Sequence, residues 1–350
     1  MDAQGQTERI GTRWRSERTG PATLREVMLR MEQQVAAGDV EHMRPLATGF
    51  RPLDDVLSGG LRPGELMIVG GRQGVGKTIF ALQIARNVVS RAERAKALYI
   101  CYEHDRAHLL SRLLCLESVE QGCRRPLTLR MVDELALGPG DGVGLLTKLR
   151  QTPGYRSVVE AAESYGDRLV LVKASGDHST LARIREWVEK MEIHGRERLL
   201  VVIDYLQKVP VVAGNLRPET EMTTHLVQAL KDLAMEAGIQ IIAVAASDRP
   251  GLRSNRVRFA DLRGSSALQY EADVGVMLNN KHDVLSRQQL IANLSKAEQT
   301  RGWLVMSVEK NRAGRNVVDM EYLLQPAQFH LSLTGDYVRE RLVDGKVILE

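Results

Sequence analysis

The run Gly71-Arg72-Gln73-Gly74-Val75-Gly76-Lys77-Thr78 satisfies the spacing G-x-x-x-x-G-K-S/T. An apolar stretch, LMIVG (66–70), precedes it, and the helical TIFALQIARNVV begins at its last residue. The chemistry needs these residue types. Glycines let backbone N–H groups turn inward around phosphate oxygens, and a helix N-terminus adds the positive end of its dipole. In this pattern Lys77 reaches the β and γ phosphates of a nucleoside triphosphate, and the Thr78 hydroxyl ligates Mg²⁺. The backbone from Gly71 through Ile79 is therefore the expected nucleotide cradle, with ATP or another nucleoside triphosphate as ligand.

A metal-bound triphosphate site calls for a second acidic anchor at the end of a buried strand. LLVVID (199–204) supplies it in Asp204, at the carboxyl end where open α/β sheets place ligands. Thr78 and Asp204 are the expected metal positions. Hydrolysis also needs a group that orients or deprotonates water. Glu103 follows the strand-like ALYICY (97–102), again at a carboxyl end, and is the candidate base. His104 and Asp105 are its immediate neighbours.

Strands and helices alternate around these residues, which argues an α/β fold: a P-loop core with a mostly parallel sheet flanked by helices. Strands are expected at 66–70, 97–102, 168–173, 199–204, 239–245, 273–278, 303–310 and 317–324, and helices at 78–91, 106–119, 178–193 and 220–237. Residues 1–20 read as a mobile tail. Within 21–45, Leu24, Val27, Met28, Met31 and Val35 recur at helical spacing in TLREVMLRMEQQVAA, before Gly38. The core spans 46–334. Asp344-Gly345 between two alternating runs predicts a C-terminal hairpin extension over 335–350.

Composition bounds the partners. With 43% hydrophobic and 26% charged residues the chain is globular, and no run of eighteen apolar residues marks a membrane span. The first twenty residues lack the apolar core of a secretory signal, so the expected compartment is the cytosol. Cys101, Cys115 and Cys123 include no C-x-x-C pair and are expected as buried thiols. Net charge is +4, carried by 37 Arg and 11 Lys, a bias that suits a phosphate-bearing partner. The richest stretch is DRPGLRSNRVRFADLR (248–263), with Arg249, Arg253, Arg256, Arg258 and Arg263 against two aspartates. A loop of that composition suits phosphate tracking without base reading. A weaker candidate is VVAGNLRPETE (211–221).

TGFRPLDDVLSGGLRPGELMIVGGRQGVGKT, then ICYEHD, LLVVIDYLQ, ADLRGSSALQYEADV and EKNRAGR, occur in the order found in DnaB-type replicative helicases, over roughly residues 23–330. Asp204-Tyr205-Leu206-Gln207 is the most telling piece; the opening TGF-x-x-LD is shared with KaiC and RadA types. The resemblance implies a RecA-like core assembled as a hexameric ring that moves along single-stranded DNA using ATP and Mg²⁺; whether a loader or primase is a partner stays open. It implies Glu103 as catalytic glutamate, Asp204 as metal aspartate, and Lys310 and Arg312 as finger residues reaching a neighbour's site. Lys310-Asn311-Arg312 lie where an apolar strand meets the tight turn Ala313-Gly314. A cation on such a tip can neutralise charge developing on the γ-phosphate. Arg263, Gly264 and Ser266 fall in the segment corresponding to the family's DxRESG, here DLRGSS. The helix within 21–45 matches the linker helix that packs on an adjacent protomer.

Three departures are visible. Ala246 stands where the family has a phosphate-sensing glutamine, and Ser247 follows it. Gly264 replaces an acidic residue. Only about twenty residues precede the linker-like helix, so the expectation is a truncated or specialised member without the N-terminal collar domain, of mobile-element or phage type, or an accessory ATPase. The alternative is a KaiC- or RadA-like ATPase acting in recombination or regulation without unwinding.

Overall fold

The computed structural model describes residues 20–138, 142–176, 178–191, 197–211, 219–247, 255–285 and 300–343. The strands are β1 (Leu66–Gly71), β2 (Ala95–Cys101), β3 (Leu169–Lys173), β4 (Arg198–Asp204), β5 (Gln240–Val244), β6 (Val274–Asn280), β7 (Trp303–Asn311), β8 (Val318–Gln325), β9 (His330–Leu331) and β10 (Asp336–Tyr337). They form one sheet in the order β10-β8-β7-β6-β1-β5-β4-β2-β3, with β9 added to β8. From β6 to β3 the neighbours are parallel; from β6 through β7 and β8 to β10 they are antiparallel. The parallel half reads as continuous apolar runs because both of its faces are covered. β1 is buried at all six positions, and β4 at all but Arg198.

The helices are α1 (Leu24–Ala36), α2 (Leu53–Val56), α3 (Lys77–Arg91), α4 (Arg106–Glu120), α5 (Leu129–Ala136), α6 (Leu145–Gln151), α7 (Arg156–Ser164), α8 (Leu181–Lys190), α9 (Glu219–Ala237), α10 (Ser265–Glu271) and α11 (Lys281–Val284). One sheet face packs on α3 and α4 through Met67, Phe80, Ile84, Tyr99 and Leu109. The other packs on α8 and α9 through Ile68, Ile203, Ile184 and Leu230. Helices α5 to α7 fold around their own satellite core of Val132, Leu149, Val158 and Val159 against Leu114 of α4.

The TGF-x-x-LD opening is a structural clasp. Asp54 accepts hydrogen bonds from the Thr48 N–H (2.8 Å), the Thr48 hydroxyl (2.7 Å) and the Gly49 N–H (2.9 Å). Phe50 lands between Phe80 of α3 and Tyr322 of β8, with ring centroids 5.1 and 5.9 Å away. This joins the loop helix to the antiparallel half.

Helix α1 begins on a capping box between Thr23 and Glu26, yet none of its residues is buried. The turn expected at Asp344-Gly345 lies outside the described residues, as do residues 1–19. β10 pairs antiparallel with β8, so the segment after residue 334 extends the main sheet. Cys101 and Cys115 are buried as expected. Cys123 is only partly covered, and its thiol donates to the Gly154 carbonyl.

Candidate nucleotide site

The loop between β1 and α3 has the backbone that phosphate binding demands. Gly71 holds φ at +142°, and a Cβ there would lie 2.4 Å from the Leu278 carbonyl oxygen, so only glycine fits. Gly76 caps α3 at φ +107°. Lys77 is largely buried, and its ammonium donates to the carbonyls of Gly71 (2.8 Å) and Arg72 (2.7 Å). Burial pulls its pKa down to about 8, opposed by the charges of Asp204 and Glu103. A buried ammonium satisfied by loop carbonyls is a cation short of an anion. Beside the loop a cleft of about 290 Å³ is walled by Arg72, Gln73, Gly74, Asn279 and Asn280, with Asp283 paired to Arg72 at 3.8 Å.

Asp204 ends β4 and is almost fully buried. Burial raises its pKa; the Tyr99 and Thr78 hydroxyls bonded to it oppose that, Glu103 adds to it, and Lys77 opposes it. The Tyr99 hydroxyl donates to Asp204 Oδ2 at 2.9 Å. Thr78 and Asp204 thus meet as a hydroxyl and a carboxylate, the hard oxygen donors that Mg²⁺ takes, and burial leaves that carboxylate poorly solvated. These residues fit the metal. Glu103, two residues past β2, is exposed, and its charge is felt by Lys77. The structure therefore brings Lys77, Thr78, Asp204 and Glu103 to one end of the sheet.

Arg112, missed in the sequence, belongs to the same cluster. Its Nη2 lies 2.9 Å from His104 Nε2, and its guanidinium sits 4.8 Å over the Phe329 ring. Burial lowers its pKa, against the charges of Tyr99, Cys101, Asp204 and Glu103. Because guanidinium only donates, His104 Nε2 must accept, which fits a His104 pKa lowered by burial, Arg112 and His108. The available signal was an arginine interrupting the apolar run Leu109-Leu110-Ser111-Arg112-Leu113-Leu114.

Lys310 and Arg312 are not at this end. Arg312 Nη1 pairs with Asp273 Oδ1 at 3.3 Å and Nη2 donates to the Tyr270 carbonyl. Lys310 donates to the Gln269 and Tyr270 carbonyls of the last turn of α10. Register fixes their distance from the loop: Asn311 pairs with Val274, which pairs with Met67, four residues before Gly71. At about 3.3 Å per strand residue, that is roughly 13 Å toward the opposite edge.

The family description DnaB-like helicase C terminal domain matches residues 45–129 and 146–330. The chain belongs to that family. It is 28% identical over 253 residues to the replicative DNA helicase DnaB of Treponema pallidum, covering 71% of this chain and 50% of that protein. To a probable replicative DNA helicase of Trieres chinensis it is 27% identical over 289 residues, covering 80% and 56%. The chain spans about half the length of the curated relatives it matches. One solved ATPase domain superposes with a TM-score of 0.68 at 17% identity, covering 89% of this chain and 99% of that one. A DnaB-like replicative helicase, solved in work on its interactions with primase, gives 0.65 at 16% identity over 89% and 67%. These two likenesses show the RecA-like fold. Of the unmatched stretch 130–145, the described residues include most of α5, whose Val132 belongs to the satellite core.

For a DnaB-type domain the expected DNA contacts divide. Arg249 and Arg253, and residues 212–218 of the weaker loop, lie outside the described residues. Arg256 is buried, bonded to Ser307 Oγ (3.0 Å) and paired with Asp319, so it is spent on tying the segment to β7 and β8. Arg258 pairs with Glu309 at 3.1 Å. The excess of arginine over aspartate in this stretch is thus partly neutralised inside the fold. Arg263 and Ser266 are exposed. Gly264 caps α10 at φ +77°, where a Cβ would strike Thr223 at 2.5 Å, so its side-chain-free form is dictated by packing. Among the described residues no helix is long and apolar enough to cross a membrane.

Proposed function

We propose that this chain is the motor domain of an ATP-driven DNA helicase, working as a ring of six copies on single-stranded DNA. The observation that carries this reading is the split of the catalytic set. Lys77, Thr78, Asp204 and Glu103 sit at one end of the sheet, while the cations Lys310 and Arg312 sit toward the other, beyond reach of the same chain's loop. A site divided in this way is completed by a second copy.

In that arrangement the loop N–H groups and Lys77 hold the triphosphate, the ammonium leaving the Gly71 and Arg72 carbonyls for phosphate oxygens. Thr78 and Asp204 would hold Mg²⁺, which supplies charge neutralisation on the phosphoryl oxygens. Glu103 orients the attacking water, and Arg112 keeps a positive field behind Asp204 and Glu103. Arg312 and Lys310 of the next copy stabilise charge developing on the transferring phosphoryl group. Helix α1, whose apolar side chains are all exposed, supplies the face that packs on a neighbour. Arg263 and Ser266, with Arg249 and Arg253, are the proposed contacts to the DNA backbone.

A forked-duplex assay tests this reading. ATP-dependent strand displacement supports a helicase; ATP hydrolysis stimulated by DNA without displacement would assign the chain instead to regulatory or recombination ATPases.

A further inference from the structure

Ala246 leaves the phosphate-sensing side chain of the family missing, but the backbone around it is held by neighbours. The Ala246 N–H donates to Gln207 Oε1 at 3.1 Å, and the Ala246 carbonyl accepts from the Arg263 N–H at 3.2 Å. Next to it, the buried Ser247 donates its hydroxyl to the Gly71 carbonyl at 3.1 Å. That oxygen is the one on which Lys77 rests. Ser247 also pairs with Leu262 as an isolated bridge.

Gln207 reaches from the end of β4 to the end of β5, and β5 lies between β4 and β1. Its amide therefore lies at the carboxyl ends of β4 and β5, the two strands beside β1 on that side of the sheet. Its Nε2 is buried without a hydrogen-bond partner among the described residues. A buried amide donor left unmade is costly, and a ligand oxygen would relieve it. Oε1 already accepts from Ala246, so Nε2–H is the group of this amide left to meet a ligand oxygen.

We infer that Gln207 supplies the phosphate-sensing donor that Ala246 lacks, and that Ser247 passes the state of the loop to the Leu262–Arg263 segment. When Lys77 turns to phosphate, the Gly71 carbonyl loses the ammonium donor and keeps the Ser247 hydroxyl. Ser247 and Ala246 then carry any shift of the loop to Leu262 and Arg263, through two contacts made by the same two residues. Arg263 leads into α10, whose last carbonyls hold Lys310 and Arg312. The same helix thus borders both the DNA-side arginine and the finger pair. This inference rests on the motor reading above.

The test is linkage. The affinity of the full chain for a fluorescent oligothymidylate is measured with Mg²⁺ alone, with Mg²⁺-ADP and with a non-hydrolysable Mg²⁺-ATP analogue. A coupled wild type changes affinity between the ADP and ATP-analogue states by a factor in the range of about 5 to 150. Gln207→Glu keeps an acceptor for the Ala246 N–H and removes the donor; Gln207→Met, uncharged, removes both. Both variants should bring the factor to within about twofold of one, and both should bind ADP and the ATP analogue with nearly equal affinity. Ser247→Ala should lose the DNA factor while still distinguishing the two nucleotides. If Gln207→Glu couples like the wild type while Gln207→Met does not, Gln207 is only an anchor for Ala246 and the inference falls. Unchanged coupling in Ser247→Ala overturns the relay. A wild type whose DNA affinity ignores nucleotide contradicts the motor reading itself, and the inference with it.

Discussion

Lys77 shows what the nucleotide site requires of a single residue. Its ammonium is largely buried, with a pKa pulled to about 8, and is satisfied by two carbonyls that a phosphate must replace. Lys77→Ala removes the side chain positioned to follow the phosphates, so ATP hydrolysis is expected to fall to background in a phosphate-release assay, with the fold intact by circular dichroism. Turnover that survives would place the chemistry elsewhere. Arg112 acts at one remove. Arg112→Gln takes a positive charge away from Asp204 and Glu103 without opening a large cavity. Turnover is expected to drop by about 10²-fold, the scale of a lost preorganised electrostatic donor, with nucleotide affinity changed much less. A fall in affinity with kcat intact would make Arg112 a binding residue instead.

At the scale of elements, α3 is locked to α4 and β9 by a buried charge network. Arg86 pairs with Glu117 (2.6 Å) and Glu120 (3.0 Å), the Tyr165 hydroxyl donates to Glu117, and His330 reaches Glu120 at 2.7 Å. Glu117→Ala leaves a buried guanidinium short of its main partner and should destabilise the domain by about 3–5 kcal/mol, read as a lower thermal midpoint. The network also sets an acid limit. Burial tends to raise the Glu120 pKa, but the hydrogen bond from His330 and the charges of Arg86 and His330 bring it below its ordinary 4.5. A depressed carboxylate stabilises the fold above its unfolded pKa and loses that contribution as pH falls through the folded value. Thermal midpoints measured below pH 4.5 should therefore fall less steeply with pH in Glu120→Gln than in the wild type; equal slopes would remove Glu120 from the acid response.

Much of this element layer was legible in the sequence. The P-loop, the strand ending in Asp204 and the positions of the main strands along the chain followed from apolar runs and glycine spacing, because parallel strands covered on both faces leave an unbroken apolar record; their order in the sheet did not. Helix α8 starts at Leu181, three residues later than expected, because Thr180 caps it, and a cap is a local choice that periodicity does not reveal. The fate of Arg256 was not legible, since its burial depends on Asp319, sixty-three residues away. Arg112 was hidden for a related reason: its partners come from β2, β4 and Phe329, brought together only by folding.

At the scale of the whole molecule, the unfinished surfaces are α1 and the finger edge. Leu24 and Met28 are 75% and 63% exposed, an apolar face that stays outside the core of its own chain. Replacing both by Glu should leave the folded monomer unchanged and lower the assembled mass in light scattering with ATP analogue and DNA. An unchanged mass would free α1 from any role in assembly. The most direct measurement of a site shared between copies is complementation. Arg312→Ala should bind nucleotide but lose turnover by about 10³-fold or more, the scale of an arginine finger. Glu103→Gln should likewise be inactive. Mixed together, the two inactive variants should regain ATP hydrolysis, because some interfaces then join an intact Glu103 to an intact Arg312. A mixture that stays silent at every ratio, or an Arg312→Ala protein that hydrolyses ATP at the wild-type rate, would contradict a site completed in trans.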